Sequence, residues 1–581
     1  MEVDSITSKA NGYGSVATTE PYIKNGLPGK GGDGIAALQG GSSYGMPLVC
    51  FTILVVELCE RLAFYSFTGT QEFFLEKVGY TLAQAGSLNA SMSTLCMAWA
   101  VFAGWIADVW LGRYWTIFVF GITYVCGSAM AATAAMPSVT SSTWYLIGVM
   151  GLIPLGTAGI KSNISNFGAD QYDVSDPQQA IAQEEFFSWF YLSINMGSAV
   201  SYGYLTTLAS NGGLGIPQEY GYFAVYTLAA VAMMLAVVIF ASFRRRYRIN
   251  KIQESSPLLQ VAKEAYAAGC QGNWEGLAFL GSWVLLFVAI ALSVLVALTP
   301  KAGLPMLVCS SVCACIGVVT IVCCCRDPVW INASTSQGQA VREYVRLLPV
   351  LFTAAIAFTA LYNAMQFWYQ QQACQMDLRV GSQGFQFSGS FFMIADCFGI
   401  IAATPLAVGF VNPALERYFG NGFGHGTKFG IGMFFGALSI LLACHLEINR
   451  RNAVVLDEDS HCAPSGVRMS DVSAVWMTAP FFLMGLGEVY TQPTIMYLAY
   501  SCSPPSMRTL AAVTFLLIQA VSDAVFTVQV SALSRFVPDD LNKGHLEYGY
   551  ATCLLLGFAL YMGFLYTWRS FESKVVAQAA A

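Results

Sequence analysis

Glu57, Glu60 and Arg61 interrupt an apolar run, Glu57-Leu58-Cys59-Glu60-Arg61-Leu62-Ala63-Phe64-Tyr65. On a helix, residues three and four apart share a face, so both carboxylates and the guanidinium project to one side. A charge at the centre of a bilayer costs about 2.5–3.5 kcal/mol on insertion scales, so such groups face a bundle interior or a watery cavity. Two acids around one Arg cannot both be fully neutralised, which makes one carboxylate a candidate to take up and release a proton. The alternative is a static ion pair. Lys161, Asp396 and Asp523 are further isolated charges in apolar surroundings; a lysine there suits an anionic group, and an unpaired intramembrane Asp is functional by default. Only four His occur, with no paired-His metal motif and no Ser/His/Asp arrangement at membrane depth, which argues against an enzyme or a metal site.

These residues must be held by membrane helices. Of 581 residues, 56% are hydrophobic and 11% charged, less than half the roughly 25% charged residues of a soluble protein. With 28 Lys+Arg against 34 Asp+Glu the net charge is -6 and dispersed, which excludes a nucleic-acid footprint. The composition fits an all-α polytopic membrane protein whose helices each need about 20 mostly apolar residues. Fourteen apolar segments centre near 58, 97, 124, 155, 196, 231, 288, 315, 359, 399, 437, 486, 521 and 559. The 17 cysteines lie mostly inside these runs and read as small hydrophobic residues, with no disulfide framework.

An even number of crossings puts both termini on one side. Arg244, Arg245, Arg246, Arg248, Lys251, Arg342, Arg346, Arg508, Arg569 and Lys574 make that side cytoplasmic by the positive-inside rule. Arg450 and Arg451 fall on the other side, an exception for which the sequence offers no compensation. Segments seven and eight carry almost no polar side chain, whereas one to six and nine to fourteen carry many. The pattern is two six-helix bundles with a two-helix insert, an internal repeat of the kind found in transporters. The expected division is a disordered cytoplasmic tail over 1–44, an N-terminal bundle over 45–246, a linker and insert over 247–335, a C-terminal bundle over 336–572 and a tail over 573–581.

Longer motifs carry a resemblance. Gly104-Trp105-Ile106-Ala107-Asp108-Val109-Trp110-Leu111-Gly112-Arg113-Tyr114 resembles the signature loop of the major facilitator superfamily, with Asp108, Gly112 and Arg113 in structural and gating roles. The Glu57–Arg61 motif, Gly159-Ile160-Lys161-Ser162-Asn163, Phe167-Gly168-Ala169-Asp170-Gln171-Tyr172, Phe190-Tyr191-Leu192-Ser193-Ile194-Asn195-Met196-Gly197, Gly487-Glu488-Val489 and Ala499-Tyr500-Ser501 resemble, in order, those of the proton-dependent oligopeptide transporter family. The resemblance implies a major facilitator fold of fourteen transmembrane helices, working by alternating access and driven by the proton gradient. It assigns proton coupling to Glu57, Glu60 and Arg61, and makes Lys161 the lysine that links protonation to a substrate carboxylate. Tyr65 and Asn195 would line the substrate site with Lys161; Asn363, Gln366, Asp396 and Tyr497 are further candidates to line it, and Glu488 is a candidate gating or structural residue. Tyr65 and Asn195 can also be read as helix-packing hydrogen bonders.

Several positions depart from the family pattern. Met97 and Thr359 stand where tyrosine and tryptophan are usual, and Asn363 replaces the acid expected to pair with Lys161. Tyr497 replaces the glutamate that holds a peptide's amino terminus. Counting back from Pro405, Asp396 falls at a cavity asparagine of the family. There it would replace the missing acid opposite Lys161 or take over the substrate amine, unless it stands idle near a watery vestibule.

The expectation is a proton-coupled symporter importing di/tripeptides or a related small nitrogenous solute. A non-peptide solute such as nitrate, an amino acid or a metabolite is the alternative, favoured by the loss at Tyr497; a non-transporting nutrient receptor is a third reading. Its partners would be the substrate, protons and the lipid bilayer, with no nucleic acid, obligate protein partner, metal or cofactor. Its place would be the plasma membrane, with an endolysosomal or vacuolar membrane as the alternative. Weaker signals are a sorting-like Glu254-Ser255-Ser256-Pro257-Leu258-Leu259, juxtamembrane Cys323-Cys324-Cys325, and a sequon at Asn332-Ala333-Ser334 that the topology puts inside.

Overall fold

Lipid offers no partner to a backbone N–H or C=O, so the apolar runs close their hydrogen bonds internally as helices. The computed structural model describes residues 47–580 except 174–175, 250–255, 300–302, 381–384, 420–423 and 465. The tail expected over 1–44 and the Glu254-Ser255 part of the sorting-like run lie outside the described residues. The first bundle comprises α1 (Leu48–Thr68), the short α2 (Gln71–Lys77), α3 (Leu82–Ile106), α4 (Gly112–Ala134), α5 (Ser142–Ala169), α6 (Pro177–Val200) and α7 (Gly221–Ser242). An amphipathic α8 (Pro257–Cys270) leads to the insert helices α9 (Trp274–Leu298) and α10 (Gly303–Cys325). The second bundle comprises α11 (Ser336–Cys374), α12 (Ile394–Leu406), α13 (His425–Asn452), α14 (Thr478–Ser501), α15 (Arg508–Leu533) and α16 (Leu546–Ala580), the last running on as helix beyond the expected boundary at 572.

Helices cover all fourteen apolar centres. Ten helical stretches among the described residues are long and apolar enough to cross a membrane, one of them, Leu82–Ala134, spanning two centres. Helices α1, α6 and α14 are not among the ten. Their apolar runs are broken by polar groups: Glu57, Glu60 and Arg61 on α1, Asn195 on α6, Glu488 and Gln492 on α14.

Within the first bundle α1 packs on α6 and α7, and α4 on α5 and α7; within the second α13 packs on α14, α11 on α15 and α16, and α12 on α14. The bundles meet along α3 and α15, and the insert lies outside this seam, α9 touching both. Burial sorts the layers: 94% of the apolar window of α11 is inside the protein against 28% for α10, so α11 is a core helix and α10 a lipid-facing one.

Glycine sets two close approaches. A Cβ on Gly197 would meet Arg61 Cβ at 2.9 Å, so α6 crosses α1 at the charged motif only because that position lacks a side chain. A Cβ on Gly485 would meet the Asp396 carbonyl oxygen at 2.6 Å, which places α14 directly against α12. Gly112, at φ 74°, makes the turn from α3 into α4 through the π-helical stretch Ala107–Leu111.

The helix ends that gather residues 69–82, 207–218, 370–380, 385–390, 455–464, 466–473 and 531–546 form one end of the molecule, here the far end; Arg244–Arg246, Arg326 and Arg508 mark the other, basic end. Two small antiparallel pairs, β1 (Arg379–Val380) with β2 (Phe385–Gln386) and β3 (Val455–Asp459) with β4 (Arg468–Ser470), cover the far end of the second bundle. There Arg379 donates to both carboxylate oxygens of Asp377 at 2.8 and 3.0 Å, which holds that carboxyl below its ordinary range. The expectation of no disulfide meets one exception, Cys374–Cys462, which ties the end of α11 to the turn after β3. The sequence hid it because Cys374 closes an apolar helix and its partner lies 88 residues on.

The exception to the charge rule also has its compensation. Arg450, fully buried, donates from Nε and Nη2 to Glu447 at 2.8 Å each and from Nη1 to Asn542 at 2.7 Å. Arg451 meets Glu547 at 2.6 Å. Both cations are spent on acids and count little in the inside–outside balance. Of the juxtamembrane cysteines only Cys323 is exposed; Cys324 and Cys325 are buried.

Candidate functional site

The first cluster grows from α1. Arg61 Nε lies 3.1 Å from Glu57 Oε1 and its Nη2 pairs with Glu60 Oε2; all three side chains are at most 4% exposed. The one-face spacing read from sequence is therefore an actual three-way contact. Phe64, one turn on, puts its ring 5.2 Å from the Arg61 guanidinium and 5.8 Å from Lys161 Nζ. Lys161, half-buried on α5, has Nζ 3.4 Å from Met97 Sδ, so the methionine standing in for a tyrosine touches the lysine.

The acid within electrostatic reach of Lys161 from the second bundle is Asp523 on α15, not Asp396. Asn363 Nδ2 donates to Asp523 Oδ1 at 3.0 Å and fixes it. The acid missing at Asn363 has thus moved one helix over, and the amide left behind holds it. The first of the two roles considered for Asp396, replacing the acid opposite Lys161, is corrected by this arrangement.

Asp396 is 6% exposed and belongs to a second cluster. It packs on α14 at Gly485, where the acid that acts on it is Glu488. Asp396 Oδ1 and Glu488 Oε2 are both buried without a hydrogen-bond partner. Tyr191 and Tyr362 lie within electrostatic reach of both acids, and Tyr65 stands 5.4 Å from Tyr202, ring to ring. Gln366, on the π-helical stretch Ala364–Tyr369 of α11, donates to Tyr362 Oη at 2.8 Å. Ser198 and Cys397, 3.3 Å apart, join the bundles beside Asp396. Glu488, expected in a gating or structural role, stands at the site itself.

Two expected lining residues also make packing contacts. Asn195 donates to the Tyr191 carbonyl of its own helix at 2.9 Å, a packing contact, and its side chain also hydrogen-bonds the Tyr191 side chain beside the acids. Tyr497 stacks on His425 with ring centroids 4.3 Å apart, toward the basic end. In the signature loop Arg113 bonds Asp170 at 2.5 Å and so ties that motif to Phe167-Gly168-Ala169-Asp170; Asp108 lies within its electrostatic reach. Asp523 was legible as an intramembrane acid, whereas the Asp396–Glu488 and Asn363–Asp523 pairings left no signal because their partners lie 92 and 160 residues apart.

Helical bundles joined along one seam, with buried charges where they meet, define a polytopic transporter of the major facilitator type. A family model described as the POT family matches residues 114–542, and the chain belongs to that family; it is an integral membrane transporter and not an enzyme. It is 27% identical over 571 residues to protein NRT1/PTR FAMILY 8.1 of Arabidopsis thaliana, covering 90% of this chain and 94% of that protein. It is 33% identical over 235 residues to solute carrier family 15 member 2 of Mus musculus, covering 40% of this chain and 31% of that protein. Among solved structures, the POT family transporter PepTSo superposes with a TM-score of 0.71 at 20% identity, covering 91% of this chain and 99% of that one. A POT family transporter in complex with 5-aminolevulinic acid superposes with a TM-score of 0.63 at 17% identity, covering 90% and 96%. At these identities the structural matches show the fold.

Proposed function

We propose that this transporter is a proton-coupled symporter that imports a small solute bearing both an amine and a carboxylate, with di- and tripeptides foremost, by alternating access. The observation that carries the reading is the charge count where the bundles meet. Glu57, Glu60, Asp396, Glu488 and Asp523 face two cations, Arg61 and Lys161, a formal excess of three negative charges. Buried charge of one sign must be offset. The excess falls on Asp396, Glu488 and Asp523, where a substrate ammonium at Asp396 and Glu488, together with protons, offsets it. The group formed by Glu57, Glu60, Arg61 and Lys161 is neutral when all four are ionised. One proton gives it a positive charge that receives a substrate carboxylate, and loss of that proton releases it, so the two bind together. Glu60 is the assigned carrier, since it is fully buried and in contact with Arg61. The neighbour solved with 5-aminolevulinic acid, itself an amine with a carboxylate, is in keeping with this.

A non-peptide anion such as nitrate is the second reading, favoured by Tyr497 being stacked on His425 where an amine-holding acid is usual. The proposed place is the plasma membrane, with both termini and the basic end cytoplasmic.

Uptake into proteoliposomes under an imposed pH gradient tests both readings. Glu60→Gln is expected to abolish gradient-driven uptake while sparing counterflow exchange, which needs no net proton movement; equal loss of both would make the residue structural. In competition, free-amine peptides are expected to inhibit and nitrate not. Asp396→Asn is expected to weaken free-amine substrates about 10- to 150-fold, the worth of a hydrogen bond to a charged group, and to leave N-acetylated analogues unchanged.

A further inference from the structure

A second acid pair lies away from these clusters. Glu72 and Glu76 stand one turn apart on α2 and are 1% and 5% exposed. Gln371, on α11 of the other bundle and 2% exposed, donates from Nε2 to Glu72 Oε2 at 2.9 Å and to Glu76 Oε1 at 2.7 Å. Asn89 of α3 donates to Glu72 Oε1 at 3.1 Å. The pair sits among other bonds that cross between the bundles at the far end: Ser390 Oγ to the Gly69 carbonyl at 2.7 Å, Ser87 with Ser531 at 3.0 Å, and the Leu82 N–H to Asp539 at 2.7 Å.

We infer that Glu72 and Glu76 form a proton-binding latch, holding one shared proton while Gln371 clasps them and the far end is closed, and losing it when the bundles part there. Among the described residues neither carboxylate has an ion-pair partner. The charged groups around the pair deepen the deficit: Asp539, from the loop after α15, acts on Glu76 as a third acid. Lys77, the adjacent cation, is exposed and lies over the Tyr222 ring at 5.1 Å. Two ionised carboxylates side by side and shut off from water repel each other with nothing to offset them. The hydrogen-bond count agrees. Glu76 Oε2, Gln371 Oε1 and Asn89 Oδ1 are buried acceptors without a donor. What the site lacks is hydrogen, and a carboxyl proton supplies it. A metal ion fits poorly, because amide N–H groups, not oxygens, point at both carboxylates.

The consequence is a linkage between acidity and conformation that is separate from Glu57 and Glu60. The closed far end binds one more proton than the open one, so the closed-to-open ratio falls by up to about tenfold per pH unit as pH rises through the range where the open pair ionises. Acid on the far side then favours closure behind a bound substrate.

The test is single-molecule energy transfer between fluorophores attached through unnatural amino acids at Val139 and Asp457, both exposed at the far end of different bundles. The full-length chain is used in liposomes, in a Glu60→Gln background that removes the assigned coupling proton. Between about pH 5 and pH 9 the closed population is expected to fall as pH rises. Adding Glu72→Gln with Glu76→Gln, neutral isosteres that keep the Gln371 contacts, should lower the pH slope by about one proton and leave the far end mostly closed. Glu76→Gln alone should do the same if the double variant does not fold. An unchanged slope in these variants, no slope in the parent, or a distance that follows sodium rather than pH would overturn the inference.

Discussion

Lys161 shows how a residue's role depends on partners that its own segment does not reveal. From the first bundle it meets Met97 and the ring of Phe64, and from the second it feels Asp523, which is held by Asn363. Breaking either side leaves a charge uncompensated where the bundles meet, so both ends of the pair should matter and should matter together. Lys161→Gln and Asp523→Asn are each expected to depress gradient-driven uptake strongly, while the double variant should be little worse than the more damaging single one. Members of one charge network show interaction energies of about 0.5–3 kcal/mol. Initial uptake rates for the three proteins check this, and additive losses would mean that the two residues act separately. The Glu57–Arg61 contacts could be read from sequence because helical spacing of three and four residues is local geometry. The Asp523 contact could not, since no local rule says which acid of a distant helix will turn toward a lysine. Tyr497 shows the same limit: the sequence marks it as a departure from the family's glutamate, but only the fold shows its ring stacked on His425.

At the scale of elements, the apolar runs were enough to place the helices, because lipid enforces internal hydrogen bonding on each run independently. What tied those helices together was less legible. The glycine at 197 reads as part of a motif, yet its physical content, the crossing of α6 over α1 at Arg61, emerges only from the packed pair. Cys374–Cys462 is the clearest case. It closes an 88-residue loop that contains α12 and α13 and fastens the end of α11 to the β3–β4 cover. A cross-link over a loop of that size removes about 4–5 kcal/mol of chain entropy from the unfolded state in the loop-closure account. Cys374→Ser with Cys462→Ser is therefore expected to lower the thermal midpoint of the detergent-purified protein. A reductant should lower the wild-type midpoint toward the same value while leaving the variant unmoved. Equal midpoints for variant and wild type without reductant would show that the bridge contributes nothing.

For the whole molecule, two independent kinds of chemistry point to one orientation. Arg244–Arg246, Arg326 and Arg508 gather at the basic end, whereas Arg450 and Arg451 at the far end are spent on Glu447 and Glu547. With those two discounted, and despite Lys77, Arg379, Arg468, Arg535 and Lys543 at the far end, the larger share of Lys and Arg at the basic end supports the proposed cytoplasmic placement of that end. The disulfide lies at the far end, and disulfides persist in oxidising compartments outside the cytosol; exposed Cys323 lies at the other end, near Arg326. Glycosylation reads this orientation directly, because the acceptor must reach the lumen during synthesis. Asn332, exposed at the basic end and followed by Ala333 and Ser334, should stay unmodified in a glycosylating host; the further sequons at Asn89 and Asn163 are buried. A sequon introduced by Asp457→Asn with Asp459→Thr, on the exposed strand β3 at the far end, should acquire one glycan. A mobility shift removed by glycosidase checks both sites on one gel. A glycan at Asn332 and none at position 457 would invert the orientation, and with it the direction in which the proposed proton gradient drives the solute.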